Sequence, residues 1–576
     1  MSSIFYRPLA TCLFCCLLQL VGTAQETDTI ITKNFPAYYR IPLDLPLSLS
    51  GNYGEFRSNH FHTGYDMRIG GVVGAKVFAA AEGFISRITV SPGGYGNALY
   101  IDHPNGTTTL YGHLLDFAPA IQEYVKEKQY EMKSFSVDLS LTPEQFPVEK
   151  GDFVGRAGNS GASGGPHLHF EIRNTETQGT MNYSDYGLFP VTDNTPPRLT
   201  RLHFWGYSIQ AGIPRTALIK AVDIASPPQL IAVSDTFYVA MGALDRMEGS
   251  YATLALSAYE LYIDDVMVYR YKKKNIPPSM GRYLNSFLQY NYRVKSDQTL
   301  LKTWVEPGNM VKNLVETSHH GLFSLADTLT HALKIVIRDD YGNESVYRYL
   351  IAKRKSVQMV TMPLQGNAVM WAMDNYYETE DVQLYLPFGA LGKNIDFVVK
   401  RIEPPLNAGR NLYAPLWRIG STGEPLLRPM RLAIRAHVPL VYREKAVVVS
   451  IDRDGRSASA GGRWNGDFLE TNTYNFGDYT VTIDTVPPRI TPKFTGTYLR
   501  NVKQIGFYIR DDLSGIKSYE GYIDGVWALF EYDAKYASLY YVFDKKRVGS
   551  GKNHQLELMV TDNCNNTVIY KTSFIW

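Results

Sequence analysis

Two stretches of this chain hold side chains able to do metal chemistry: Asn59-His60-Phe61-His62-Thr63-Gly64-Tyr65-Asp66, and further on Ser163-Gly164-Gly165-Pro166-His167-Leu168-His169-Phe170-Glu171-Ile172. They carry four of the 12 histidines beside an aspartate, and a borderline-soft divalent cation accepts imidazole nitrogen and carboxylate oxygen together. In an extended chain residues two apart share a face, so His167 and His169 lie on one side and Leu168 and Phe170 on the other. A lone histidine in a half-buried strand is usually structural, whereas two at strand spacing with a His/Asp pair upstream read as a site. Spacing leaves open whether both strand histidines are ligands or one serves as an acid/base.

The elements that must position these groups follow from local composition. Gly158 to Gly165, closed by Pro166, is a loop feeding a strand through Phe170 and Ile172. Gly64, between His62 and Asp66, weakens a helix and points to a turn or strand end. From Val73 to His113 short apolar runs (Ala75 to Ala80, Ile85 to Val90, Ala98 to Ile101) alternate with Gly, Pro and Asn clusters, the pattern of a mainly antiparallel sheet.

His62-Thr63-Gly64-Tyr65-Asp66 resembles the His-x-Gly-x-Asp element of the LytM/lysostaphin-type zinc endopeptidases, peptidase family M23. Gly164-Gly165-Pro166-His167-Leu168-His169-Phe170-Glu171 resembles that family's Gly-Pro-His-Leu-His-Phe-Glu element. Ala79-Ala80-Ala81-Glu82-Gly83, Pro92-Gly93-Gly94-Tyr95-Gly96-Asn97 and Leu110-Tyr111-Gly112-His113-Leu114 are similar to the intervening segments, in the family's order, over residues 50 to 175. The resemblance implies that His62, Asp66 and His169 bind one zinc ion per chain and that His113 and His167 are catalytic. Three protein ligands leave a fourth position for water, one imidazole can take its proton, and the other can stabilise an oxyanion. Which of His113 and His167 does which stays open at this level. His60 matches no ligand position. The family has a short connection where residues 121–149 stand, an insertion expected either to wall the groove or to elaborate the surface elsewhere.

At 576 residues the chain is too long for one ordinary domain. An apolar run from Leu9 through Val21, after Arg7 and before Gly22-Thr23-Ala24, reads as a secretory signal peptide cleaved after Ala24; the rivals are an uncleaved anchor and a lipoprotein, and Cys15 and Cys16 lack a lipobox's small preceding residues. An extended leader (25–49), the peptidase-like unit (50–193) and three β-rich units (194–355, 356–484 and 485–576) follow. The first and last of these units are copies of one domain. Asp193-Asn194-Thr195-Pro196-Pro197-Arg198 recurs as Asp484-Thr485-Val486-Pro487-Pro488-Arg489, Tyr259 to Val266 recurs as Tyr519 to Val526, and Ile335 to Asn343 recurs as Leu558 to Asn566. Short strands with Asp-Gly and Asn-rich turns resemble immunoglobulin-like sandwiches, with an insertion in the first copy at Ser234 to Tyr251. The fold class is therefore mainly β, an M23-type antiparallel sheet followed by immunoglobulin-like modules.

With 58 basic against 56 acidic residues, composition gives no support to nucleic-acid binding. Removal of the signal leaves Cys564 alone, so no intramolecular disulfide forms. His103, His203, His319, His320, His331, His437 and His554 match no ligand position, and adjacent His319 and His320 point to opposite faces. The resulting expectation is an exported zinc endopeptidase, in periplasm, cell envelope or medium. It would cut amide bonds in peptidoglycan cross-bridges or stem peptides, have no membrane span after signal removal, and have an envelope protein as a partner for its β modules. The rivals are a non-catalytic envelope-binding protein on the same fold and a metal barrel that uses His167 and His169 as joint ligands.

Overall fold

A computed structural model describes residues 38–182, 193–248, 251–355, 357, 363–407, 411–500 and 502–576. The signal peptide and the first part of the leader lie outside the described residues. Among the described residues no helix is long and apolar enough to cross a membrane.

The N-terminal unit is built on a 10-stranded sheet. Its strands are β1 (Leu49–Gly51), β2 (Tyr65–Arg68), β3 (Lys76–Phe78), β4 (Gly83–Val90), β5 (Asn97–Asp102), β6 (Thr107–Phe117), β7 (Val137–Ser140), β8 (Pro147–Val148), β9 (Phe153–Ala157) and β10 (His167–Asn174). The main path runs β1-β2-β10-β6-β5-β4-β7, with β3, β8 and β9 paired off it. Both metal stretches thus end on neighbouring strands near the middle of the sheet. Leu168, Phe170 and Ile172 of β10 are fully buried in the core, so the alternate residues His167, His169, Glu171 and Arg173 line the opposite face. The leader is part of this core: Tyr39 and Leu43 are buried in it, and Leu43 bridges to Val77 of β3.

The 121–149 insertion begins in a helix, α1 (Pro119–Met132), with Pro119 in its first turn and Lys133 closing it in the left-handed conformation. Ile121 and Val125 anchor it to the sheet unit, and its other side seats the last module of the chain. Lys126 pairs with Asp544 at 2.6 Å, Glu123 with Lys546 at 2.9 Å, and Tyr130 packs edge-on against Trp527 with centroids 5.2 Å apart. The insertion, expected either to wall the groove or to elaborate the surface elsewhere, thus makes its contacts with the last module.

Residues 198–353 and 489–575 each form two sheets whose apolar faces meet in a core. One sheet in each copy has the same strand order, with the strands Glu344–Lys353, Thr330–Arg338, Ala258–Ile263 and Val266–Lys272 answered by Thr567–Ile575, Asn553–Asp562, Ile516–Ile523 and Val526–Ala528. The expected insertion at Ser234 to Tyr251 is corrected. Phe237–Leu244 is the counterpart of Gln504–Arg510, because Arg198 pairs with Leu244 as Arg489 pairs with Arg510. The extra material in the first copy is the edge strand Ile213–Val222 and the helical segment from Pro278 to Ser296. This segment packs beneath the metal loop: Phe287 contacts Phe61, and Arg293 donates to the Arg57 carbonyl at 2.9 Å. One apolar core runs from Tyr39 through Ile351 and crosses the 193/194 boundary without a break. Residues 367–483 hold a core of their own.

Candidate metal centre

Antiparallel pairing sets His169 of β10 opposite Asp66 of β2, and His169 is also opposite Gly112 of β6, next to His113. His62 reaches the same point from the loop before β2. Its Nε2 lies 3.0 Å from Asp66 Oδ1 and 3.1 Å from His169 Nδ1, and His169 Nδ1 lies 2.9 Å from Asp66 Oδ1. All three residues are buried.

The far sides of the two rings fix what these atoms are. His62 Nδ1 is 2.8 Å from the Asn52 carbonyl and His169 Nε2 is 2.8 Å from Glu171 Oε1. Carbonyl and carboxylate oxygens only accept, so those nitrogens carry protons, and His62 Nε2 and His169 Nδ1 are the atoms left to offer lone pairs once a cation displaces the proton that His169 shares with Asp66. Two nitrogen lone pairs and a carboxylate oxygen thus converge about 3 Å apart. Tetrahedral zinc with bonds near 2.0–2.1 Å sets its ligands about 3.3 Å apart, so the donor set fits the ion. Asp66 offers only Oδ1 because Arg57 holds Oδ2 at 2.7 Å.

The electrostatics favour positive charge at this point. Burial alone would raise Asp66, but the His62 charge and hydrogen bonds from His167, His169 and His62 hold it well below the usual carboxylate range. Burial would lower His169, yet its bonds to Asp66 and Glu171 carry it up to about 9. His62 is pushed down by burial, opposed by Asp66.

His113 and His167 sit together beside this trio, their rings 4.9 Å apart. His113 occupies left-handed backbone at φ 58°, where β6 leaves β10 and goes on to pair with β9, so a strand residue turns its ring into the site. Its Nδ1 donates to the Ser160 carbonyl at 2.8 Å, leaving Nε2 as a lone pair. Burial, then the charges of His169 and His167, push His113 down to about 3. His167 Nδ1 donates to the Gly165 carbonyl at 2.8 Å, and Nε2 faces Asp66 Oδ1 at 3.3 Å. All five named residues are therefore brought together. His60 lies on the exposed rim, and His319 and His320 form an exposed turn remote in sequence from the site.

Several supporting residues had no role in the sequence reading. Glu171 is fully buried and accepts from Thr63 Oγ1 at 2.6 Å, Tyr95 OH at 2.8 Å and Arg173 Nε at 2.7 Å as well as from His169. Asn52, Tyr95, Arg173 and Ser160 came without a ligand-like signature; Tyr95 and Glu171 at least lay inside the family-like segments. Gly64 is required by close approach rather than by a turn: a Cβ there would stand 2.6 Å from the Phe170 carbonyl and 2.9 Å from His169 Cε1.

Residues 60–130 match the sequence profile of Peptidase family M23. The match falls within the N-terminal unit. Residues 366–484 match the Zu5-like domain, a kinship the sequence reading did not find. A DD-carboxypeptidase/endopeptidase Mpg of Neisseria meningitidis serogroup B is 37% identical over 112 residues, 19% of this chain and 20% of the relative. An uncharacterized metalloprotease of Haemophilus influenzae is 28% identical over 111 residues, 19% of this chain and 18% of the relative. The matched segment thus spans about a fifth of the length of these curated relatives. Among solved structures, the catalytic domain of lysostaphin from Staphylococcus simulans aligns at 21% identity and TM-score 0.18, covering 24% of this chain and 88% of that domain. The catalytic domain of EnpA from Enterococcus faecalis aligns at 23% and 0.19, covering 26% and 97%.

Proposed function

We propose that this chain is an exported zinc metallopeptidase that hydrolyses amide bonds in peptidoglycan cross-bridges or stem peptides. The observation that carries the reading is the convergence of His62 Nε2, His169 Nδ1 and Asp66 Oδ1 within 3.1 Å, with the other nitrogen of each ring already committed. A zinc ion held there supplies Lewis acidity toward a carbonyl oxygen and a water molecule. Glu171 keeps His169 in the ligating tautomer, Asn52 does the same for His62, and Arg57 orients Asp66. His113, neutral and with Nε2 free, accepts the proton of the attacking water. His167, whose Nδ1 is committed to the Gly165 carbonyl and whose Nε2 neighbours the Asp66 carboxylate, is placed to stabilise the developing oxyanion when Nε2 carries a proton.

A cleft of about 1110 Å³ opens between the 159–161 loop and the last module, lined among others by Asn97, Ser160, Arg510, Tyr532 and Lys535. Lys535 bonds the Asn159 carbonyl, next to the residue whose carbonyl orients His113.

The test is digestion of isolated peptidoglycan by the full-length mature protein, with and without zinc. Expected are zinc-dependent release of muropeptides, loss of both metal and turnover in His169→Ala, and retained metal with lost turnover in His113→Ala. Digestion by His169→Ala at the wild-type rate refutes the reading.

A further inference from the structure

The two related β modules each bring three aspartates together at the same place in the fold. Asp193, Asp245 and Asp339 in the first, and Asp484, Asp511 and Asp562 in the second, place carboxylate oxygens within 4.8 Å of one another. The scaffolding is the same in both. Asn343 Nδ2 bonds the Asp193 carbonyl at 2.9 Å and Asp339 Oδ2 at 2.7 Å, and Asn566 Nδ2 bonds the Asp484 carbonyl and Asp562 Oδ2 at those same distances.

The copies differ in what meets the remaining oxygens. In the second, the loop Asp511-Asp512-Leu513-Ser514-Gly515 folds back: Ser514 N donates to Asp484 Oδ2 at 3.0 Å, and Leu513 N and Gly515 N donate to Asp511 Oδ2 at 3.0 and 2.7 Å. Backbone donors satisfy that cluster. In the first copy Asp193 Oδ1 takes Thr195 N and Glu248 N, but Asp193 Oδ2 and Asp245 Oδ1 are buried with no hydrogen-bond partner among the described residues. Asp193 is 6% and Asp245 2% exposed, and none of the three carboxylates makes an ion pair among the described residues. Lys273, a buried cation of the same module, is spent on Asp340, whose Oδ2 lies 2.7 Å from its Nζ. Burial, then the Asp339 charge, push Asp245 up to about 7, the mark of negative charge without a counter-charge. Buried charge of this kind is stable when paired or when it coordinates a metal.

We propose that Asp193, Asp245 and Asp339 hold a divalent cation of the calcium class, and that the related cluster of the last module does not. An all-oxygen carboxylate set selects hard cations. A site walled by protein carboxylates suits calcium, which takes about 6–8 oxygen ligands at about 2.3–2.6 Å, better than magnesium, which keeps several of its waters. The ion would tie the chain entering the module at Asp193 to the ends of two strands. Asp340, next to Asp339, accepts from Asn52 Nδ2 at 2.8 Å, and Asn52 in turn holds His62, so the site adjoins the strut of the zinc centre.

The test uses zinc-loaded full-length protein, calcium-stripped, in equilibrium dialysis against Ca²⁺ with metal counting, together with thermal melts. Wild type and Asp511→Asn are expected to bind one calcium per chain and to melt higher in calcium, while Asp245→Asn binds none and its melt ignores calcium. Calcium-free Asp245→Asn should melt no lower than calcium-free wild type, because the substitution removes an uncompensated buried charge. A wild type that binds no calcium at millimolar concentration overturns the proposal. So does undiminished binding by Asp245→Asn, or displacement of calcium by an equal concentration of magnesium.

Discussion

Glu171→Gln separates the two jobs of a buried carboxylate. Oε1 accepts from His169, Thr63 and Tyr95, and Oε2 accepts from Arg173 Nε at 2.7 Å. An amide offers one oxygen, so one side must lose its acceptor. If the oxygen turns to Arg173, the NH2 group meets the His169 Nε2–H, and the ring relaxes to the tautomer that protonates Nδ1, the ligand atom. If it turns to His169, a guanidinium with only 8% of its residue surface exposed faces a donor. Removing one partner of a buried pair costs about 3–5 kcal/mol, and loss of a carboxylate behind a metal-binding histidine costs roughly 10–100-fold in affinity. Urea melts and zinc competition against a chelator read the two effects. Glu171→Gln with Arg173→Met leaves the amide oxygen free to face His169, and should recover much of the stability and of the zinc affinity. Zinc affinity in Glu171→Gln within twofold of wild type would show that the carboxylate does not set the tautomer.

Gly64→Ala forces a methyl to within 2.6 Å of the Phe170 carbonyl and should cost about 1–3 kcal/mol in a melt, with weakened zinc binding because His169 must give way. Charge reversal at Lys126→Glu should loosen the last module, seen as faster proteolysis near residues 484–488, and Asp544→Lys in the same chain should restore protection; the part-buried pair is worth about 1 kcal/mol. His331 is raised above its ordinary 6.5 by its hydrogen bond to Asp264 and then by Asp327, so its contribution is fully present below pH 6.5 and lost as pH rises through the folded value. Asp264→Asn should therefore flatten the pH dependence of stability above pH 6.5, and an unchanged profile would count against that pairing.

Two of the histidines that match no ligand position find partners only through sheet pairing. His331 meets Asp264 Oδ2 and His554 meets Asp524 Oδ2, each at 2.6 Å, in matching places of the two copies. Each aspartate lay in a recurring Tyr-Ile-Asp segment, but the histidine partners are distant in sequence and only sheet pairing reveals them. The helix in the 121–149 insertion was missed as an element, because its polar outer side is covered by a module some four hundred positions later, a distance no local pattern encodes.

Residue type and short-range spacing were enough to nominate His62, Asp66, His167 and His169, to set His167 and His169 on one face of a strand, and to find the duplicated module, while His113 entered only through the family resemblance. These features depend on donor chemistry and on the two-residue period of an extended chain, both of which are local. Tertiary packing alone decided which nitrogen of each ring faces the metal, since that rests on Asn52, Glu171 and Ser160 standing behind the rings. It also decided that one aspartate triad is satisfied by backbone donors while its counterpart is left with unmet charge, because a loop that folds back and one that does not look alike until their N–H groups have a place in space.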